Sequence, residues 1–513
     1  MYLGRGWRQT VLGATVLGFA FGGAWGCGRG APPPDPNNCE DSKAGCPPKE
    51  QPSVPGDAPP PGTGSNQTPP PTTQPEQLPP ASGVTLWLAK EGTAQDDLAL
   101  DLAVDPTGDL FTAAAYGYDD LGARVPTDDG VQLVLTRRSG AGQTLWTHAY
   151  DVRVDPTPVD LRADVHARVA ADGTGALLVA GNLQGTTDLG TGKLGDGAFV
   201  AKLSADGVTL WANRVPGELT VTDVAADAQG RLYVAYTAPG TVDLGGEVKG
   251  APGGVAVFAA DGTPVLAIAV GSAESDGAAV EPLSLATGAD GGVVVAGRFL
   301  GTVRFGTNAV QGSSEGSPFV AQYRATGELD WVKVRPSVKG RVRDVSRDAA
   351  GDVVLGGDFQ GGFAWAGASL KGAATPSAFV AVAAADGTER WAHELGVDAS
   401  VQGVALQDSG EVLAVGYTYS WLENGTTGQD GLGSAQLFTQ RFDPTGQPLA
   451  SRLFLAAPPE ARGELYGLEA VPAVALLPDG DAVLYGDSDR VTDFGVDKLT
   501  PQRADIFLLR VKD

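Results

Sequence analysis

From residue 83 onward the chain consists of short apolar runs broken by polar, glycine-bearing segments, and none of the runs keeps a 3.6-residue period over three turns. That pattern predicts strands, not helices. Residues 220–269 show one period of it. "VTDVAAD" leads through Ala228-Gln229-Gly230 into "RLYVAY", the signature of a hairpin. A less regular segment carrying Asp243-Leu244-Gly245 follows, then "GVAVFA", a turn at Asp261-Gly262 and a last run, "PVLAIA". Four short strands joined by glycine turns make one unit.

Two phrases mark the unit, and each returns seven times. G-x-x-x-W begins at Gly83, Gly142, Gly207, Gly262, Gly327, Gly387 and Gly446, weakened to "GTPVL" at Gly262 and "GQPLA" at Gly446. A turn phrase opens at Asp105 ("DPTGDLFTAA"), Asp172, Asp227, Asp290, Asp348, Asp408 and Asp479. The 431 residues from Gly83 to Asp513 divide into units of about 62. A four-stranded sheet has two faces to bury, and radial stacking buries both without leaving long edges. The expected fold is therefore all-β, a seven-bladed β-propeller of four-stranded blades; an open β-solenoid and two separate sandwiches are the alternatives.

The chain ends sharpen this expectation. Gly83-Val-Thr-Leu-Trp87 is only the last strand of a unit, while "DIFLLRV", 505–511, matches the strand before it, as "GAFVAKL" does at 197–203. Pairing of the N- and C-terminal strands is expected to close the propeller. The repeat resembles bacterial β-propeller repeat proteins, including exported ones with "GxxxW" and "DxxGNxYVAG"-like phrases. The resemblance covers about 83–513 and implies a fold, not an activity.

Repetition also governs how single residues are read. Trp87, Trp146, Trp211, Trp331 and Trp391 share one repeat phase, which assigns them to packing between blades, not to a ligand cage. Leu266 and Ala450 replace them in the weaker copies. Asp120-Leu-Gly122, Asp188-Leu-Gly190, Asp243-Leu-Gly245 and Asp493-Phe-Gly495 read as turns, because aspartate binds backbone donors and glycine permits a tight reversal. None has the dense alternating acids of a calcium loop, so no cofactor is expected, with room for structural calcium at a few turns. His148 and His393 both lie two residues after the repeated tryptophan, at a position where other units carry Asn213 and Lys333, and His166 is the third histidine. They read as scaffold residues, with no metal site.

"ADGVTLW" and "ADGTERW" resemble the tryptophan-docking phrase of quinone-dependent alcohol dehydrogenases, whose propellers hold pyrroloquinoline quinone and calcium. Those enzymes use eight blades, against seven units here, and the chain has no "CxxCH". The resemblance therefore implies only a packing role for Trp211 and Trp391. H-E-x-x-H and P-loop lysine motifs are absent, and the single G-x-S-x-G spacing, Gly312 to Gly316, stands in a chain with no expected helix to form a nucleophile elbow, so no catalytic residue is assigned.

Composition adds the setting. Asp and Glu number 61 against 36 Lys and Arg, a formal charge of -25 that argues against nucleic acid or anionic lipid as a partner of the main body. At the N-terminus, Arg5 and Arg8 precede "VLGATVLGFAFGGAW", a run shorter than the roughly 20 residues that cross a bilayer. "AWGC" resembles the bacterial lipoprotein signal, which implies cleavage before Cys27, its lipidation, and, with Gly28 following, the outer membrane. Cys39 and Cys46, the other two cysteines, are expected to form one small disulfide loop. Residues 31–80 hold 17 of the 36 prolines and form an extended spacer with too few apolar groups for a core.

The expected organisation is a signal peptide at 1–26, a lipidated stalk at 27–82 and the propeller at 83–513. Three segments are least repetitive, from Tyr116, Gly416 and Ala457, and the second, "GYTYSWLENGTTGQDG", offers Tyr419, Trp421, Glu423 and Asn424 as a partner surface. The expected role is a membrane-anchored, extracytoplasmic binding or assembly scaffold, a monomer whose ligand is an envelope protein or a carbohydrate. The alternative is a propeller enzyme, either a quinone-type oxidoreductase or a carbohydrate-active one.

Overall fold

A computed structural model describes residues 83–120, 125–126, 130–153, 163–418, 421–423, 426–428, 436–454 and 470–512. Cys27, Cys39, Cys46 and the proline-rich segment lie outside these residues. Seven antiparallel sheets follow one another along the chain. In each of the first six, the strands pair in chain order. Sheet 1 contains Asp96–Val104, Leu110–Asp120, Val131–Arg138 and Thr144–Val152; sheet 2, Asp164–Ala171, Leu177–Gln184, Gly197–Leu203 and Thr209–Arg214. Sheet 3 contains Thr220–Ala226, Leu232–Thr237, Gly253–Phe258 and Pro264–Ala269; sheet 4, Ala279–Thr287, Val293–Leu300, Ser317–Tyr323 and Leu329–Val334. Sheet 5 contains Lys339–Arg347, Val353–Gln360, Ser377–Ala383 and Glu389–Val397; sheet 6, Ala399–Leu406, Val412–Thr418, Gln436–Phe442 and Pro448–Phe454. Sheet 7 joins the chain ends: Ala470–Leu476, Ala482–Ser488 and Asp505–Lys512 are followed by Val84–Glu91, with Thr85 opposite Val511 and Lys90 opposite Phe507.

The expectation of a closed seven-bladed propeller made of four-stranded blades is corrected by this topology. Among the described residues no sheet closes on itself; each hydrogen-bonded ladder stops at the outermost strand of its own unit. Sheet 1 takes a fifth strand, Val125–Pro126, and five two-stranded sheets and one three-stranded sheet stand apart from the seven. The physical reason is that neighbouring sheets meet through packed side chains and not through a shared ladder, while the small sheets form in segments read from sequence as simple turns. Asp188 accepts hydrogen bonds from the Gly190 and Gly192 amides at 2.7 and 3.0 Å, but Leu189 beside it is buried, so Thr187–Asp188 pairs with Lys193–Leu194 as a small hairpin. Asp243, bonded by the Gly245 amide, and Asp493, bonded by the Gly495 amide, do the same, with Leu244 and Phe494 buried.

Cohesion between sheets is thus a matter of side chains. The fold is all-β, repetitive and propeller-like, with its apolar core divided into clusters that each join two sheets: Phe111 and Leu133 pack with Val179 and Phe199, and Val294 and Val320 with Leu355 and Phe379. At the periphery each repeated tryptophan, half-buried, reaches the following unit. The indole N–H of Trp331 donates to the Ala385 carbonyl at 2.9 Å, and those of Trp146 and Trp211 donate to Ala205 and Ala260 at 2.8 and 2.9 Å. Trp87 and Trp391 donate to Gly140 and Pro444 at 3.3 and 3.2 Å. The glycine of the next G-x-x-x-W phrase lies on the ring: a β-carbon on Gly387 would stand 2.8 Å from Trp331, and one on Gly446 2.8 Å from Trp391. The two ends of the phrase therefore serve different junctions, since the glycine covers the preceding unit's tryptophan. His148 and His393 sit beside the same contact, His393 Nε2 lying 2.7 Å from the Gly446 carbonyl oxygen.

Candidate functional site

The first strands of all seven sheets line one central cavity of about 910 Å³. Their edges facing it have no neighbouring strand, so half of their amides need partners from elsewhere. The sequence supplies these at a fixed distance from the turn joining the first and second strands. That turn opens at Asp105, Asp172, Asp227, Gly288, Asp348, Gln407 and Leu477, each amide bonding the carbonyl four residues on. The sequence markers Asp290, Asp408 and Asp479 thus stand one or two residues late. Four residues before the true turn lie Asp101, Arg168, Asp223, Ser284, Asp344, Gly403 and Ala473.

This layer ties sheet to sheet. Asp101 accepts the Val169 amide of sheet 2, Asp223 the Leu285 amide of sheet 4, and Asp344 the Val404 amide of sheet 6, each at 2.8 Å. Ser284 Oγ accepts the Val345 amide at 3.2 Å and donates to Asp344 at 2.8 Å. Arg168 works in the opposite sense, donating to the carbonyls of Leu100 and Thr222 in the sheets on either side, at 2.9 and 3.1 Å. Gly403 carries no polar group and packs closely, a β-carbon there meeting Val474 Cγ1 at 2.6 Å.

A register shift precedes the layer in six sheets, with the extra residue at Leu100, Thr222, Leu283, Arg343 and Gln402 in five of them and between Ala470 and Ala473 in sheet 7. An extra residue in one strand bends it and re-aims a side chain. All five bulge residues line the cavity, and Arg343 and Gln402 stand on adjoining strands with Arg343 Nη1 3.5 Å from Gln402 Oε1. Arg343 Nε donates to Asp358 at 2.5 Å, and Arg341 lies 3.6 Å from the same carboxylate.

Burial raises the cavity acids. Asp101 is pushed up to about 7 and Asp344 to about 6, with the Asp223 carboxylate adding to both; burial raises Asp223 as well. Each binds its proton more tightly folded than unfolded, so its contribution is complete below the usual carboxylate range and is lost as pH rises through the folded value. Urea unfolding is therefore expected to show greater stability at pH 5.5 than at pH 8, by a few kcal/mol, with Asp344→Asn shrinking the difference. A flat or inverted profile would contradict these shifts.

Among the described residues no group of three or more His, Cys, Asp or Glu side chains is placed to hold a metal ion. Trp421 lies on a short strand, Trp421–Glu423, paired with Thr426–Gly428 between the second and third strands of sheet 6; Tyr419 and Asn424 lie outside the described residues. The layer of bridging acids and the bulges were not singled out from sequence. Counting back from the turns finds the first only once the turns are placed by their hydrogen bonds; nothing in the pattern marks the second.

No protein-family model matches the chain, and no curated protein does. Among solved structures, U3-55K aligns over 82% of this chain and 98% of its own, at 12% identity and a TM-score of 0.45. YCF48 bound to D1 peptide aligns over 85% and 98%, at 11% identity and a TM-score of 0.42. An alpha-L-arabinanase of Penicillium chrysogenum complexed with arabinobiose aligns over 84% and 98%, at 12% identity and a TM-score of 0.36. Similarities at this level neither place the chain in a family nor argue a function.

Proposed function

We propose that the protein is a binding module, held at a membrane surface outside the cytoplasm by its N-terminus, that takes its ligand at the Arg341 end of the central cavity. The observation that carries this reading is the commitment of Asp101, Asp223 and Asp344 to amides of neighbouring sheets, which makes them bridges and not a free acid and base. The less repetitive parts of the chain support the chosen end. In these antiparallel sheets the connections after second and fourth strands share one end, where the first strands begin. The ends of Leu110–Asp120, Val412–Thr418 and Pro448–Phe454, from which the three least repetitive segments leave, therefore lie at the end that carries Arg341. The strand Trp421–Glu423 lies in the connection after the second strand of sheet 6, at the same end.

A photoreactive amino acid at Gln402, in intact cell envelopes, is expected to give a discrete adduct, while the same group at Thr263, an exposed turn residue at the opposite end, gives none. Equal labelling from both positions, or release of a tightly held redox cofactor on denaturation, would contradict the proposal. Anchoring is tested separately. Cys27→Ser is expected to abolish incorporation of an alkynyl palmitate and to move the protein to the soluble fraction; an unchanged label or membrane fraction would remove the lipid from the account.

A further inference from the structure

On sheet 5 the cavity end sets two guanidinium groups against one carboxylate. Arg341 and Arg343 come from one strand of sheet 5, and both line the cavity. They share a single acid, Asp358, whose Oδ2 also accepts the Ser400 hydroxyl at 3.2 Å. The nearby Arg298 is engaged by its own acid, Glu281, at 2.5 Å. Arg343 spends its Nε on Asp358, whereas Arg341 makes no hydrogen bond among the described residues and keeps 35% of its side chain exposed. Burial, then the charge of Arg343, lower its pKa from the usual guanidinium value, against the opposing pull of Asp358.

We infer that Arg341 and Arg343 form the recognition point for a carboxylate group entering the central cavity. Guanidinium matches carboxylate geometry with paired donors, and a partly desolvated site strengthens such bonds. Gln402 beside Arg343, with the Thr220 and Thr222 hydroxyls across the cavity, offers further polar partners. The wall's own acids are engaged by amides of the next sheet, and burial favours their neutral form, which reduces their pull on the pair. The charge follows from an alternation in the sequence, "RVRD", in which the bulge brings Arg343 to the same acid as Arg341.

This inference rests on the cavity being the binding site, and the test separates the two. The folded protein is treated with phenylglyoxal, and modification of each arginine is followed by mass spectrometry. Four probes are used at millimolar concentration: glucuronate and N-acetylglutamate methylamide carry a carboxylate on a sugar and on a peptide unit, and glucose and N-acetylglutamine methylamide are their neutral counterparts. Arg341 is expected to react at least five-fold faster than Arg168, which two carbonyls hold, and at least one carboxylate probe is expected to slow Arg341 and Arg343 at least five-fold. Arg341→Gln is expected to cut the Gln402 photo-adduct at least ten-fold, while Arg324→Gln on the exterior leaves it unchanged. Equal protection by neutral probes, no protection by either carboxylate, or a full adduct with Arg341→Gln would overturn the carboxylate assignment and leave cavity binding standing. Loss of the Gln402 adduct from the unmodified protein would instead overturn both.

Discussion

A chain starting at residue 92 is expected to lose its cooperative unfolding transition, and a peptide of residues 83–91 added in trans to restore it. Val84–Glu91 is the outermost strand of sheet 7 and pairs along Asp505–Lys512. Its removal would uncover Phe507, Leu509 and Val511, against which Leu88 packs, and would take Trp87 from its contacts with sheet 1. Glu91 would go too, leaving Arg138, with which it forms an ion pair, and the Tyr116 hydroxyl, which donates to it at 3.0 Å, without their partner. A fully buried tryptophan is worth about 3–5 kcal/mol, of which half-buried Trp87 supplies a part, and the lost strand pairing, the Leu88 contacts and the Glu91–Arg138 pair add to it. Together these approach the whole stability of an ordinary domain. Full cooperativity in the truncated chain, or no response to the peptide, would show that sheet 7 does not need this strand.

Gly387→Ala is expected to destabilise the protein by about 2–4 kcal/mol, and Gly327→Ala by markedly less. Gly387 has φ +79° and Gly327 φ +84°, so both substitutions force a side chain into the left-handed region at a cost of about 1–2 kcal/mol. The difference is what the new methyl group meets. At Gly387 it falls 2.8 Å from the Trp331 indole; at Gly327, where Leu266 stands in the tryptophan position, it finds Leu266 at 3.7 Å. In a Trp331→Ala background the penalty of Gly387→Ala should shrink by at least ~1 kcal/mol, because the overlap is gone and only the backbone cost remains. Equal penalties at the two glycines would mean that the tryptophan contact contributes nothing. Urea midpoints of the four variants settle the comparison.

The strands and their grouping were legible because each apolar run ends at a glycine turn, and because two phrases recur in step. Sheet closure was not. The Asp-Leu-Gly segments signal a reversal, and the aspartates do bind the amides beyond them; but Leu189, Leu244 and Phe494 also send apolar groups inward, and the flanking residues pair as separate hairpins. The acids of the cavity wall were present as a column, yet with 61 acidic residues in the chain an isolated Asp101 or Asp344 carries no signal. The column appears only when turns are aligned by their hydrogen bonds, since Asp290 and Asp479 stand two residues, and Asp408 one, beyond the turn openings. The bulges at Arg343 and Gln402 leave no compositional trace, because any residue type fits the extra position.

Hydrogen exchange at the Val169, Leu285 and Val404 amides tests most directly whether the cavity acids bind neighbouring sheets together. These amides face an edge with no adjoining strand, and their partners are Asp101, Asp223 and Asp344. The account predicts slow exchange at all three in the native protein, and at least ten-fold faster exchange at Leu285 in Asp223→Ala while the Val294 and Val295 amides of the next strand stay protected. Native exchange at these three positions as rapid as at the amide of the exposed turn residue Asp206 would contradict it.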